Sequence, residues 1–191
     1  MSLFNQNLFE EAALTFENFV QRHPDDPLAK TAAENIPLAY ARLGRTTDSE
    51  QAYENLLSRE NDPVKKAGLL IQMGQMKEKN GQAAEAIKFY EQVPAGAPEY
   101  FEAMYSIGSI HARSGQVDKE AAVYEKVLAA GPKDNAHRIS SIGRLAEIYI
   151  SQGKAKQALA VYQDVEKNAT DQSALSNAKT RIEELNKVLQ Q

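Results

Sequence analysis

The chain of 191 residues contains no cysteine and only three histidines. The lack of cysteine excludes disulfide bonds, thiolate chemistry and Cys-ligated zinc. Of the histidines (His23, His111 and His137), His111 has no carboxylate or hydroxyl partner at a spacing typical of acid–base catalysis. No glycine-rich phosphate loop is present either. We therefore predict a chain that is not an enzyme, with no catalytic residue, no metal site and no cofactor.

Long apolar runs are also missing. No run approaches the ~20 residues that cross a bilayer, and the start lacks the basic and apolar regions of a signal peptide. Lys and Arg number 22 against 26 for Asp and Glu, which leaves a net charge of −4. That balance lacks the basic surface of a nucleic-acid-binding protein. We expect neither a nucleic-acid partner nor membrane insertion by this segment.

A repeat organises most of the sequence. Its glycines (Gly44, Gly81, Gly115 and Gly153) are spaced by 37, 34 and 38 residues. A tyrosine follows nine residues after each glycine, and an apolar residue precedes each by eight; the tyrosines are Tyr53, Tyr90, Tyr124 and Tyr162. The first residues fit the same frame in part, with Asn7 at the glycine position and Phe16 at the tyrosine position. This regularity predicts one structural unit per repeat.

Each unit is predicted to be a helix hairpin. Both of its apolar stretches have helical periodicity, and the glycine between them supplies the left-handed residue that ends the first helix. Asn7 could serve the same purpose, because asparagine tolerates that conformation. Prolines just past the second helix stop it; they are Pro24, Pro98 and Pro132. Gly74 and Gly108 fall inside first helices, where we expect the backbone of a neighbouring helix to approach closely.

The pattern resembles the tetratricopeptide repeat family, and it is clearest in Met73-Gly74, Gly81, Ala86, Tyr90 and Pro98. The resemblance implies an all-α, right-handed solenoid of stacked hairpins with about ten helices. The predicted boundaries are a partial repeat at 1–26, four repeats at 27–62, 63–98, 99–134 and 135–170, and a terminal helix at 171–191.

Some residues depart from the family pattern. Ser49 and Glu120 occupy a position that is usually a small alanine, and Asn61 and Thr170 replace the closing proline. Pro37 occupies the mid-helix glycine position. Since proline removes a backbone hydrogen bond to the carbonyl four residues earlier, we predict a bend in that helix.

The spacings of 37 and 38 residues are longer than the family unit, with extra residues before the first helix of a repeat. The segment His23-Pro24-Asp25-Asp26-Pro27 is similar to the entry found in bacterial envelope members of the family, such as the outer-membrane assembly lipoprotein and the Tol–Pal cell-division coordinator. This similarity favours a periplasmic or membrane-associated location over the cytoplasm, without deciding the compartment.

The two ends of the chain differ. In the repeat frame residue 1 falls late in a first helix, so we expect the chain to be a fragment of a longer protein. At the other end a single apolar stripe predicts an amphipathic helix; its residues are Ala174, Ala178, Ile182, Leu185 and Leu189. We interpret it as a capping helix, with a dimer-forming helix as the alternative. The chain would then be a monomer or a weak dimer.

First helices of such hairpins line the concave face of the array. The resulting groove candidates are Leu38, Arg42, Ile71, Gln75, Lys79, Tyr105, Ser109, Arg113, Arg144 and Glu147. Arg42, Lys79 and Arg113 hold the same position in three repeats and could form a ladder of positive charge that steers an acidic partner segment. The alternative is three ordinary solvated charges near helix C-termini.

The predicted function is a protein-interaction module that binds a peptide or partner segment in the groove, as a scaffold or adaptor of a bacterial complex. The alternative is an accessory or spacer segment of a larger enzyme or membrane-anchored machine. The repeated tyrosines could in principle stack on nucleic-acid bases. However, they lie at helix-packing positions in an acidic chain, which favours a role in the core.

Overall fold

The computed structural model describes residues 3–131 and 134–190, and of residues 3–6 it describes the backbone alone. Within these ranges it has ten α-helices and no strand, which confirms the all-α class. The helices are α1 (Leu3–Arg22), α2 (Pro27–Leu43), α3 (Thr46–Arg59), α4 (Pro63–Lys79), α5 (Ala83–Tyr90), α6 (Tyr100–Arg113), α7 (Val117–Ala129), α8 (Ala136–Ser151), α9 (Ala155–Asn168) and α10 (Gln172–Leu189).

The chain divides into two compact units, one ending at Met73 and one beginning at Gly74. In the N-terminal unit α2 packs against both α1 and α3. In the C-terminal unit each helix from α5 to α9 packs against the helix that follows it in the chain, and α6 also packs against α8. This is the pattern of consecutive hairpins, in which a first helix contacts its own second helix and the first helix that follows.

Glycine forms the turns as predicted. Gly44 has φ of +73° at the end of α2, and the N–H of Arg45 donates to the carbonyl of Tyr40 at 3.0 Å. The three equivalent glycines also have positive φ, with values of 76°, 67° and 71° for Gly81, Gly115 and Gly153. A residue with a Cβ would be strained in this conformation.

The turn predicted at Asn7 does not form, and that prediction is wrong. Asn7 lies inside α1, which runs without interruption from Leu3 to Arg22. Asparagine is tolerated in the left-handed conformation but does not require it. The residues on both sides of Asn7 continue one helix, so nothing forces the chain to turn there.

The second helix of the next hairpin, α5, is only 8 residues long. It ends at Tyr90 because Pro94 has no N–H to donate to the carbonyl of Tyr90, four residues earlier. The prediction that Pro98 stops this helix is wrong, because α5 ends eight residues before it and Pro98 lies in the segment between α5 and α6. The corresponding prediction for Pro132 lies outside the described residues.

The repeated tyrosines belong to the core, since Tyr53, Tyr90, Tyr124 and Tyr162 are all buried. Two of them explain the glycines inside first helices. A Cβ on Gly108 would lie 2.3 Å from Cε1 of Tyr124, and one on Gly74 would lie 2.3 Å from Cε1 of Tyr90. The close approach predicted at these glycines is therefore made by a tyrosine ring of the following helix and not by a helix backbone.

Pro37 does not end its helix, because α2 is continuous through it. The carbonyl of the buried Pro37 accepts a hydrogen bond from Oγ of Ser49, at 2.8 Å. Ser49 thus uses a position that usually holds alanine to tie α3 to α2. The bend predicted at Pro37 stays a prediction.

The terminal helix α10 begins at Gln172, where the side chain of Asp171 accepts the N–H of Ala174 at 2.8 Å. Ala178 and Leu185 are buried, and α10 packs against α9. The predicted amphipathic helix is therefore present. Its interpretation as a cap, and the repeat boundaries, stay predictions.

Candidate functional site

Four of the predicted groove residues line one cavity of about 400 Å³ in the C-terminal unit. They come from α6 and α8, the first helices of consecutive hairpins, and are Tyr105, Ser109, Arg113 and Arg144. Ala112, Glu120, Tyr124 and Ser140 complete the lining. Residues four apart on a helix share a face, which is why Tyr105, Ser109 and Arg113 reach the same space.

An ion pair between Glu120 and Arg144 lies in this cavity. Nε of Arg144 donates to Oε1 of Glu120 at 2.8 Å, and Nη2 donates to Oε2 at 3.4 Å. The side chain of Glu120 is 1% exposed, whereas that of Arg144 is 52% exposed. The hydrogen bond to Glu120 raises the pKa of Arg144. The guanidinium of Arg144 is therefore exposed to solvent and held in place by the buried carboxylate of Glu120.

Arg113 is held in a similar way. Its Nη2 donates to Oε1 of Glu78, and its side chain is 60% exposed against 29% for Glu78. Glu78 also accepts the hydroxyl of Tyr90 at 3.2 Å. The cavity thus presents two oriented guanidinium groups, each with donors that its carboxylate partner does not use.

An aromatic ring lies beside these charges. Tyr105 is 37% exposed, and its ring centroid lies 5.5 Å from that of His137 at the start of α8. Ser109 and Ser140 contribute hydroxyl groups to the lining. The site therefore combines apolar ring surface, cationic donors and neutral hydrogen-bonding groups within one concave space.

Glu147 lines a different cavity of about 280 Å³, formed by α8, α9 and α10. Its Oε1 accepts the hydroxyl of Tyr162 at 2.5 Å and lies 3.1 Å from Nη2 of Arg181. Ser140 lines both cavities. Glu147 is occupied by contacts between helices, which makes it a poorer candidate for partner binding than Arg144.

The other predicted groove residues are not brought into this cavity. Leu38 and Arg42 are exposed on α2 of the N-terminal unit. Ile71 is only 5% exposed, which leaves little of its side chain for a partner. Gln75 donates to Glu102 at 3.0 Å, and Lys79 is exposed at the end of α4. The ladder hypothesis for Arg42, Lys79 and Arg113 stays a hypothesis, with Arg113 engaged by Glu78.

Sequence reasoning missed four lining residues as parts of a site: Ala112, Glu120, Tyr124 and Ser140. A signal for Glu120 was available, because a carboxylate at a buried repeat position requires a cationic partner. That partner, Arg144, lies 24 residues further along. Repeat register shows that the position is buried but does not show which distant side chain reaches it.

The histidines have local structural contacts. Nδ1 of His111 lies 2.9 Å from Oε1 of Gln116, in the turn after α6, and the ring of His23 lies near that of Phe19. Over the described ranges, no group of three or more acidic or histidine side chains could hold a metal ion. No helix described in the structure is long and apolar enough to cross a membrane.

Consecutive helix hairpins with a concave, partly charged surface define a helical repeat scaffold. The model of the tetratricopeptide repeat family matches residues 1–65 and 71–135. The chain therefore belongs to the tetratricopeptide repeat family. Repeats of this family indicate a protein–protein interaction scaffold, and proteins built from them are generally non-catalytic. No curated protein sequence matches the chain.

Solved structures show the same fold at low sequence identity. The C-terminal part of a TPR repeat-containing protein from Cytophaga hutchinsonii has a TM-score of 0.59 and 16% identity, over 96% of this chain and 76% of that one. BtubC from P. vanneervenii has a TM-score of 0.56 and 16% identity, over 97% and 84%. MamA has a TM-score of 0.55 and 16% identity, over 98% of both chains. At this identity the similarity shows the fold alone.

Proposed function

We propose that the cavity between α6 and α8 binds a peptide segment of a partner protein through an acidic group and an adjacent apolar side chain. The observation that carries this proposal is the asymmetry of the two ion pairs. Arg113 and Arg144 are more than half exposed, while Glu120 is buried and Glu78 is largely covered. A partner carboxylate can therefore reach guanidinium donors without meeting the paired carboxylates first.

The recognition is local. The two arginines and the two glutamates sum to no net charge, so long-range attraction contributes little and directed hydrogen bonds contribute most. Arginine is suited to this task because its rigid fork of donors matches a carboxylate. The exposed ring of Tyr105 supplies apolar contact area, and aromatic residues commonly anchor interfaces.

A peptide-display selection against the full chain tests the proposal. We expect the enriched peptides to carry Asp or Glu next to an aromatic or aliphatic residue. In fluorescence anisotropy, Arg113→Glu and Tyr105→Ala should each weaken the binding of the tightest peptide about tenfold or more, since each removes a close contact worth on the order of 1–2 kcal/mol. Reversal at Arg113 also places a new carboxylate beside that of Glu78.

Lys126→Glu is the matched control. Lys126 is exposed on α7 and lines neither cavity, so this change alters the net charge equally without touching the site. Its peptide affinity should stay within about twofold of the unmodified chain. Enrichment of peptides without acidic residues, or equal losses in Lys126→Glu and Arg113→Glu, would contradict the proposal.

The biological setting is part of the same proposal. The resemblance of His23-Pro24-Asp25-Asp26-Pro27 to envelope members of the family supports a scaffold or adaptor role in a bacterial envelope complex. We propose no catalytic step for these residues. Fractionation of cells that express the full open reading frame tests the location, and recovery with cytoplasmic proteins would oppose the envelope setting.

A further inference from the structure

A larger cavity, of about 590 Å³, lies in the N-terminal unit between α1 and α3, with α2 as its floor. Its apolar lining consists of Val20, Pro24, Ala33, Ile36, Ala52 and Leu56. Most of these apolar side chains are half-buried, so they face an open space and are not sealed in a core. The volume falls within the ~300–1,000 Å³ typical of ligand sites.

Two small residues create this space. Ala33 stands 11 residues before the repeat glycine, where the other repeats have Leu70, Met104 and Ile142. Ala52 stands eight residues after the glycine, where the others have Phe89, Val123 and Val161. Both alanines line the cavity. The first complete repeat therefore lacks two large side chains that its own pattern provides elsewhere.

This cavity is separate from the groove predicted on the same helix. With ~100° of rotation per residue, Ala33, Ile36 and Tyr40 cluster on one side of α2. Leu38 and Arg42 fall on the opposite side. A ligand in the cavity would therefore leave the groove residues of α2 uncovered, and substitutions in the cavity leave that groove unchanged.

The rim of the cavity carries opposite charges at its two ends. At one end Glu17 accepts the hydroxyl of Tyr40 at 2.5 Å, and Asp48 accepts Nε of Arg45 at 2.6 Å. At the other end Arg59 is exposed and has no ion pair with any described residue. Asp48 and Arg59 stand 11 residues apart on α3, which corresponds to about 16 Å along a helix.

We propose that this cavity is a second docking site, which takes an amphipathic α-helix of a partner protein. The helix would place apolar side chains over Ala33 and Ala52, an acidic residue against Arg59 and a basic residue against Glu17 and Asp48. A helix is the fitting occupant because the cavity is a trough between α1 and α3 over α2, and the charges at its two ends are about 16 Å apart, which is roughly three helical turns.

The charges also assign a direction. Helices favour acidic residues in the first turn and basic residues in the last. A bound helix with its N-terminus at Arg59 would run opposite to α3, whose last turn contains Arg59. The positive end of its dipole would then lie beside the negative end of α3.

Two synthetic peptides of about 16 residues test the proposal. Both are acetylated, amidated and alanine-based, with leucines at helical spacing. The first has glutamates in its first turn and lysines in its last, and the second exchanges them. We expect the full chain to bind the first about fivefold more tightly in low salt, because exposed charge pairs are individually weak and only two of them distinguish the peptides.

Variants separate the cavity from intrinsic differences between the peptides. The double substitution Ala33→Leu with Ala52→Val installs side chains found in the other repeats, and should reduce binding of both peptides at least tenfold. Arg59→Glu should remove or invert the preference for the first peptide. Lys66→Glu, an exposed reversal outside the cavity, should preserve that preference. Tyr105→Ala, which changes the cavity between α6 and α8, should also bind both peptides with unchanged affinity.

Circular dichroism establishes that the filled variant remains helical, and we expect its unfolding midpoint to rise. If it does not fold, the Arg59→Glu comparison still decides the matter. Equal binding by the filled variant, or no difference between Arg59→Glu and Lys66→Glu, would overturn the proposal. Self-association of the unmodified chain in sedimentation velocity that disappears in the filled variant would also overturn it, in favour of a second copy as occupant.

Discussion

Replacing Gly108 by alanine should destabilise the C-terminal unit, although alanine is the better helix former. The gain from helix propensity is about 1 kcal/mol. The ring of Tyr124 opposes this gain because it occupies the space that the new methyl group needs. The added Cβ would lie 2.3 Å from Cε1 and Cζ and 2.6 Å from the hydroxyl oxygen. Carbon atoms in contact prefer roughly 3.5–4.0 Å, so the ring would have to move by more than 1 Å.

The surroundings make that movement costly. Tyr124 is 2% exposed and belongs to the packed interior of its hairpin. Overpacking of such a core costs about 1–3 kcal/mol. After the propensity gain is subtracted, we therefore expect Gly108→Ala to lose up to about 2 kcal/mol, and Gly74→Ala to behave similarly because Tyr90 occupies the equivalent place.

Urea unfolding followed by circular dichroism at 222 nm measures the effect. Gly143→Ala is the matched control, because Gly143 lies inside α8 and, apart from the adjacent residues and backbone of its own helix, no atom lies within 4 Å of the added Cβ. That variant should gain up to about 1 kcal/mol. The two substitutions are chemically identical and should change stability in opposite directions.

A double-mutant cycle identifies the cause. Tyr124→Leu removes the ring atoms that meet the new Cβ, so Gly108→Ala should cost little or become favourable in that background. The expected coupling is on the order of 1–3 kcal/mol. Additive effects in the cycle, or stabilisation by Gly108→Ala in the unmodified chain, would show that the ring does not select glycine.

Two further predictions concern ionisable groups. Burial, followed by the hydrogen bond to Glu125, raises the pKa of Tyr149 to about 12, above the ~10 of an unfolded chain. The native state keeps this proton longer, so stability should fall as the pH rises from about 10 to about 12, and Tyr149→Phe should make that fall shallower in urea titrations. Arg138 is buried with one partner, Asp164 at 2.8 Å, and its Nε and Nη1 have none. Arg138→Met should change stability by less than about 1 kcal/mol, because the Asp164 left behind is 24% exposed and still accepts from Asn168 at 3.2 Å. Asp164→Ala leaves the buried guanidinium unpaired and should lose about 3 kcal/mol or more, and equal losses in thermal unfolding would refute this.

Hairpins could be predicted from the sequence because their determinants are local. A glycine in the left-handed conformation and a helical apolar period act within one repeat, and four glycines behaved as expected. The turn predicted at Asn7 was wrong because asparagine permits a left-handed turn without requiring one. The early end of α5 depends on Pro94, which the repeat pattern does not include.

The site was predictable only within one helix. Tyr105, Ser109 and Arg113 could be grouped because their spacing places them on one face of α6. Their electrostatic partners lie far away in sequence, since Glu78 is 35 residues from Arg113 and Glu120 is 24 from Arg144. Which carboxylate lies beneath which guanidinium depends on packing between helices, and register alone does not supply it.

Comparison between repeats reveals a feature of the N-terminal cavity that neither the local hairpin pattern nor the spacing along one helix indicates. Ala33 and Ala52 are unremarkable singly, because alanine is common in helices. They stand out because they face one space, at positions where the three following repeats have larger side chains. Filling that space would bury more apolar surface, at ~25 cal/mol per Å², so the alanines forgo stability that the repeat pattern offers. Departures from a local rule without compensation in the fold are expected at functional sites, which is the physical reason to test this cavity for a bound helix.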